Sequence, residues 1–89
     1  MKKVSIHKLI PYKCYRLYWW PADLNTYIDM VFLHYTEYKC MRIFVIKDND
    51  TSGTYKLSDV IDWDMDDRNK LDELPNNESI IKLAKMIDL

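Results

Sequence analysis

With 89 residues, 48 % of them hydrophobic, three Trp, seven Tyr and a single Gly, the chain fits one small domain with a ring-rich interior. A domain of this size hides only about 60 % of its chain surface, so some rings are expected to stay exposed or to meet a partner. A net charge of −1 speaks against strong nucleic-acid binding, and no apolar run reaches the ~20 residues of a membrane helix.

The charge is split along the chain. Residues 1–45 carry seven Lys/Arg against three Asp/Glu, a net +4, while residues 46–89 carry six against eleven, a net −5. The opening segment is interrupted by His7 and Lys8 and has no small-residue cleavage site, so it does not read as a signal peptide. The expected location is cytoplasmic, with Cys14 and Cys40 as thiols.

Residues 3–9, "KVSIHKL", read as an optional first strand. Residues 13–20, "KCYRLYWW", read as a strand on which Trp19 and Trp20 point to opposite faces. Residues 21–26 read as a loop. In residues 26–36, "TYIDMVFLHYT", Ile28, Val31, Phe32 and Tyr35 fit a helical stripe, but Tyr27, Met30 and Leu33 fall off it. Seven of these eleven residues are β-branched or aromatic, which favours a strand. Residues 40–47, "CMRIFVIK", are apolar on both alternations and predict a central strand. Residues 48–53 hold the only Gly and predict a loop, with residues 54–57 pairing back as a strand.

At the C-terminal end, Asn76 or Asn77 is a helix cap, and Ile80, Leu83, Ala84 and Ile87 form an apolar stripe. The expected fold is α+β: a small antiparallel sheet or SH3-like barrel of about four to five strands with a C-terminal amphipathic helix. A single domain, 1–89, divides into a β-rich part (3–63), an acidic turn (62–73) and a helix (77–88).

The acidic turn resembles a calcium loop on four ligands. Asp62, Asp64, Asp66 and Glu73 occupy positions 1, 3, 5 and 12 of "DWDMDDRNKLDE". Position 6 is Asp67 where the sharp turn wants Gly, so the preferred reading is an exposed acidic turn entering a short helix, capped by Asp64 or Asp66. Cys14, Cys40, His7 and His34 lack the close spacing of a zinc site. One Gly leaves no room for a P-loop, a dinucleotide fingerprint or a nucleophile elbow. No catalytic residue and no cofactor are assigned.

The functional expectation is a small non-enzymatic binding protein, an inhibitor or modulator that docks on a host protein. Trp19, Trp20, Tyr15 and Tyr18 would anchor it, and Asp62, Asp64, Asp66 and Asp67 would steer it. The bias toward residues with AT-rich codons fits a phage or mobile element. The alternative is a nucleic-acid-binding module using Lys2, Lys3, Lys8, Lys13 and Arg16 with stacking Tyr15, Tyr18 or Trp20. A homodimer, joined through Trp20 or the Tyr set, is also compatible with the excess of rings.

Overall fold

The computed structural model describes residues 2–20, 27–46 and 60–88 of the chain. They contain strands β1 (Lys2–Val4), β2 (Lys13–Tyr18), β3 (Tyr27–Thr36), β4 (Cys40–Ile46), β5 (Val60–Asp64) and β6 (Lys70–Glu73), then helix α1 (Glu78–Ile87). The strands form one antiparallel sheet in the order β1-β6-β2-β3-β4-β5. Six strands replace the expected four to five. Among the described residues β1 and β5 lie at opposite edges, so the sheet is open and no barrel closure is seen.

The strands expected at 13–20, 26–36 and 40–47 appear as β2, β3 and β4. The segment 3–9 contributes only its first residues, to β1. The expected strand at 54–57 and the loops at 21–26 and 48–53 lie outside the described residues. The stretch 62–73 is corrected: it is strand, turn and strand, with no helix after Asp66. The physical reason lies in β6. Leu71 stands opposite Leu17 on one side and Val4 on the other, and is only 2 % exposed. A strand inserted between two others satisfies its backbone on both edges, and one buried leucine outweighs a weak local preference for helix.

Both faces of the sheet are covered, which explains why β3 and β4 are apolar at nearly every position. One face holds Tyr15, Leu17, Met30, Phe32, Met41, Ile43 and Leu71, roofed by Ile6 and Leu9 from the β1–β2 connection. Trp19 and Trp63 pack on this same face with ring centroids 5.8 Å apart, although β2 and β5 are three strands distant in the sheet. Three flat intervals would span about 14 Å. The sheet therefore curls, and this face is concave. The opposite face packs Cys14, Val31, Leu33 and Phe44 against Ile81 and Ala84 of α1. Asn77 caps that helix: its Oδ1 accepts from Ile80 N at 3.3 Å. The buried centre of the helical stripe is Ile81 with Ala84, and the predicted Ile80, Leu83 and Ile87 flank it.

A β-bulge in β3 decides which face the end of that strand serves. Phe32 pairs with Ile43 and His34 with Arg42, so Leu33 is an extra residue. Strict alternation would send Tyr35 to the helix side with Val31 and Leu33. The bulge turns it to the concave side instead, opposite Met41 and 4.7 Å from the Phe32 ring. There the Tyr35 hydroxyl donates to Ile6 O (2.7 Å) and accepts from Leu9 N (2.9 Å). Tyr15 reaches the same connection, its hydroxyl accepting from Ile10 N at 2.9 Å. Two phenols thus pin the roof of the concave face.

An acidic groove walled by three indoles

Beyond β2 and along β5, the described residues leave an open groove of about 390 Å³, lined by Trp19, Trp20, Asp62, Trp63, Asp64, Asp66 and Asn69. Its parts come from three segments. Trp19 and Trp20 leave the end of β2. Asp62, Trp63 and Asp64 belong to β5, with Trp63 on the concave side and the two aspartates on the other. β5 is an outer strand of the described sheet, so side chains from both its faces border the groove. Asp66 and Asn69 lie in the turn between β5 and β6.

That turn is held by several bonds. Asn69 N donates to Asp66 O at 3.0 Å, and Met65 N to Lys39 O at 2.9 Å. Asp66 Oδ1 accepts from Arg68 N at 2.9 Å, the local side-chain bond that favours Asp in turns. Asn69 Oδ1 accepts from Trp20 N at 2.8 Å and ties the turn to the end of β2.

The carboxylates differ in their partners. Asp62 accepts from Arg42 Nε at 3.0 Å across the β4–β5 ladder. Asp66 binds Arg68 through both oxygens, at 3.1 Å from Nε and 2.8 Å from Nη2. The same guanidinium stands 5.3 Å from the Trp20 ring centroid. The bonds from the Arg68 side chain, and after them the one from its backbone N–H, hold the Asp66 carboxyl well below its ordinary range, at about 2. Asp64 accepts only from the Cys40 thiol, at 3.5 Å, and faces no cation among the described residues. Among the described residues, three aspartates and two arginines leave the groove one formal negative charge, on Asp64.

The expected anchors separate. Trp19 is half-buried against Trp63, and Trp20 is 53 % exposed. Tyr15 is corrected: at 1 % exposure it is a core residue and no contact surface. Tyr18 is half-buried and packs on Tyr27 (centroids 5.7 Å), whose ring lies beneath Arg16 at 4.3 Å, away from the groove lining. Asp67 leaves the groove as well, its Oδ1 2.5 Å from His7 Nε2.

The four calcium-window ligands are not brought together, because Glu73 lies on β6 and pairs with Lys13. Among the described residues no three His, Cys, Asp or Glu side chains are grouped to hold a metal ion. Burial pushes the Cys14 thiol up, and burial followed by the hydrogen bond to Asp64 does the same for Cys40, so both are held as thiols. No described helix is long and apolar enough to cross a membrane.

Four residues of this site were not singled out in the sequence: Arg42, Trp63, Arg68 and Asn69. The signal for Trp63 was present, since "DWD" alternates as a half-buried strand does. No sequence spacing joins Trp19 to Trp63, because their contact depends on the curl of the sheet. No protein-family model, curated protein or solved structure matches the chain.

Proposed function

We propose that the chain is a non-enzymatic binding protein that docks through this groove on a basic patch of another protein. The observation that carries the reading is the convergence of Trp19, Trp20 and Trp63 with Asp62, Asp64 and Asp66 around one open groove. Indoles supply large contact area with few rotamers to fix, and the carboxylates favour cationic partners and raise the on-rate. The bias toward AT-rich codons supports a phage or mobile-element setting, in which the partner is a host protein and docking inhibits or modulates it.

The nucleic-acid alternative draws less support. Arg16 is committed to Asp29, with Nε donating at 2.6 Å and Nη2 at 3.0 Å, and Lys13 is committed to Glu73. Tyr15 is enclosed and unable to stack on a base. Two of the cations that face would need are already neutralised within the fold.

The test is capture from a host lysate with tagged protein, with and without nuclease, beside the variants Trp20→Ala and Asp62→Lys/Asp64→Lys. A defined protein that survives nuclease and is lost with both variants is the expected result. Capture unaffected by both, or abolished by nuclease, would overturn the reading.

A further inference from the structure

We infer that Tyr38, at the tip of the β3–β4 hairpin, is a second anchor of the docking face and seats its phenol in an apolar pocket of the partner protein. This deepens the docking reading and rests on it. Tyr38 is 91 % exposed, more than any other large side chain of its kind among the described residues, so its ring adds almost nothing to the fold. Its backbone is also costly. Tyr38 and Lys39 have φ of 64° and 57°, two successive left-handed residues in a three-residue connection. A hairpin that needs such a pair favours Asn-Gly, because a Cβ there crowds the carbonyl oxygen that follows.

Such a conformation persists where its surroundings over-determine it. Here all three tip carbonyls are engaged. Glu37 O accepts from the Thr36 hydroxyl at 3.2 Å, Tyr38 O from the Cys40 thiol at 3.6 Å, and Lys39 O from Met65 N at 2.9 Å. Tyr12 is the control within the molecule. It is also left-handed, at φ 62°, but its ring packs on the helix-side core beneath Lys85, and its hydroxyl donates to Asp88 at 3.0 Å. The strain at Tyr12 is offset inside the fold, whereas the strain at Tyr38 is not.

Position and charge select the occupant. Lys39 is bonded to Met65, and the Cys40 thiol to Asp64, so the tip adjoins the groove at its Asp64 end. Glu37 and Lys39 flank the ring with opposite charges and leave the tip without net charge. One ring beside a carboxylate suits neither a phosphate backbone nor an anionic bilayer. A phenol on a held turn loses little freedom when it enters a protein pocket.

The test uses the full chain with Tyr38→Asn/Lys39→Gly, which removes the ring and supplies residues that accept the turn, and with Tyr38→Phe, which keeps the ring. The double variant is expected to melt at least about 4 °C higher than the parent chain and to recover at least tenfold less of the nuclease-resistant protein that the parent captures. Tyr38→Phe is expected to recover at least half as much as the parent. Higher stability together with lost capture excludes misfolding as the cause. On irradiation, Tyr38→benzoylphenylalanine is expected to crosslink to that same protein at an apolar segment. A double variant that melts no higher would show an unstrained turn and overturn the inference. Undiminished capture would do the same, and so would crosslinks confined to nucleic acid, lipid or a second copy of the chain. If capture depends on the groove but not on Tyr38, the inference falls and the docking reading stands. If it depends on Tyr38 but not on the groove, the groove falls as the docking surface and the Tyr38 anchor stands. No capture by the parent chain overturns both.

Discussion

The two faces of the sheet are closed by different means. On one, an amphipathic helix lays Ile81 and Ala84 over Val31, Leu33 and Phe44. On the other, the connection 5–12 lays Ile6 and Leu9 over Met30, Phe32 and Ile43, and two tyrosine hydroxyls hold it down. The helix satisfies its own backbone, so its roof depends chiefly on apolar area. The connection has no internal ladder, so its roof depends on a few directional bonds. A helical roof is rigid and leaves a cavity when an underlying side chain is cut back, whereas a pinned loop can settle into the gap.

The sharpest way to break that contrast is to truncate one ring on each side. Phe44→Ala and Phe32→Ala are both expected to cost about 3–5 kcal/mol, with Phe44→Ala the larger because the helix cannot collapse onto it. Urea unfolding of the two variants gives the order directly, and the reverse order would mean the loop is the stiffer cover. Tyr35→Phe is next, at about 1–3 kcal/mol, since it strips partners from Ile6 O and Leu9 N while leaving the ring in place. Amide exchange at Leu9 should quicken in that variant, and unchanged exchange would show that the hydroxyl does not pin the roof. On the helix side, Asn77→Ala should cost about 1 kcal/mol by removing the cap, read by thermal unfolding.

The smallest effect concerns acid. The Asp66 carboxyl is lowered from 3.8 to about 2 by Arg68, so whatever its pairing contributes is complete above pH about 4 and fades as pH falls toward 2. Its carboxyl carbon shift should therefore titrate with a midpoint near 2. A midpoint near 4 would mean that Arg68 does not hold it in solution. Because the pair is exposed, the global unfolding midpoint should hardly register the change.

The sequence pattern was most legible where a rule has one answer. The helix at 78–87, its cap region and the strands at 13–18 and 40–46 follow from periodicity and turn residues. The segment 27–36 looked half helical because Phe32 and Tyr35 stand three apart on one face, and the bulge at Leu33 produces that spacing within a strand. The 62–73 window misled for another reason: carboxylate spacing drew attention from Trp63 and Leu71, the residues that place it in the sheet. Of the site, Trp19, Trp20 and three aspartates were legible as candidates. Which carboxylates would be neutralised was not, because Arg42 reaches Asp62 only through strand pairing.

The place of β6 between β1 and β2 bears on how the molecule is made. Lys2 pairs with Glu73, so the first strand waits through about seventy residues of synthesis before its neighbour exists. At roughly 5–20 residues per second on the ribosome, that wait lasts several seconds, during which β2, β3 and β4 can already zip through near-neighbour contacts. The edge of β2 stays bare for most of that interval, since Tyr15 also waits for Glu73, and is offered to any extended chain nearby. Nascent copies crowded on one message are therefore most exposed to mispairing at this seam.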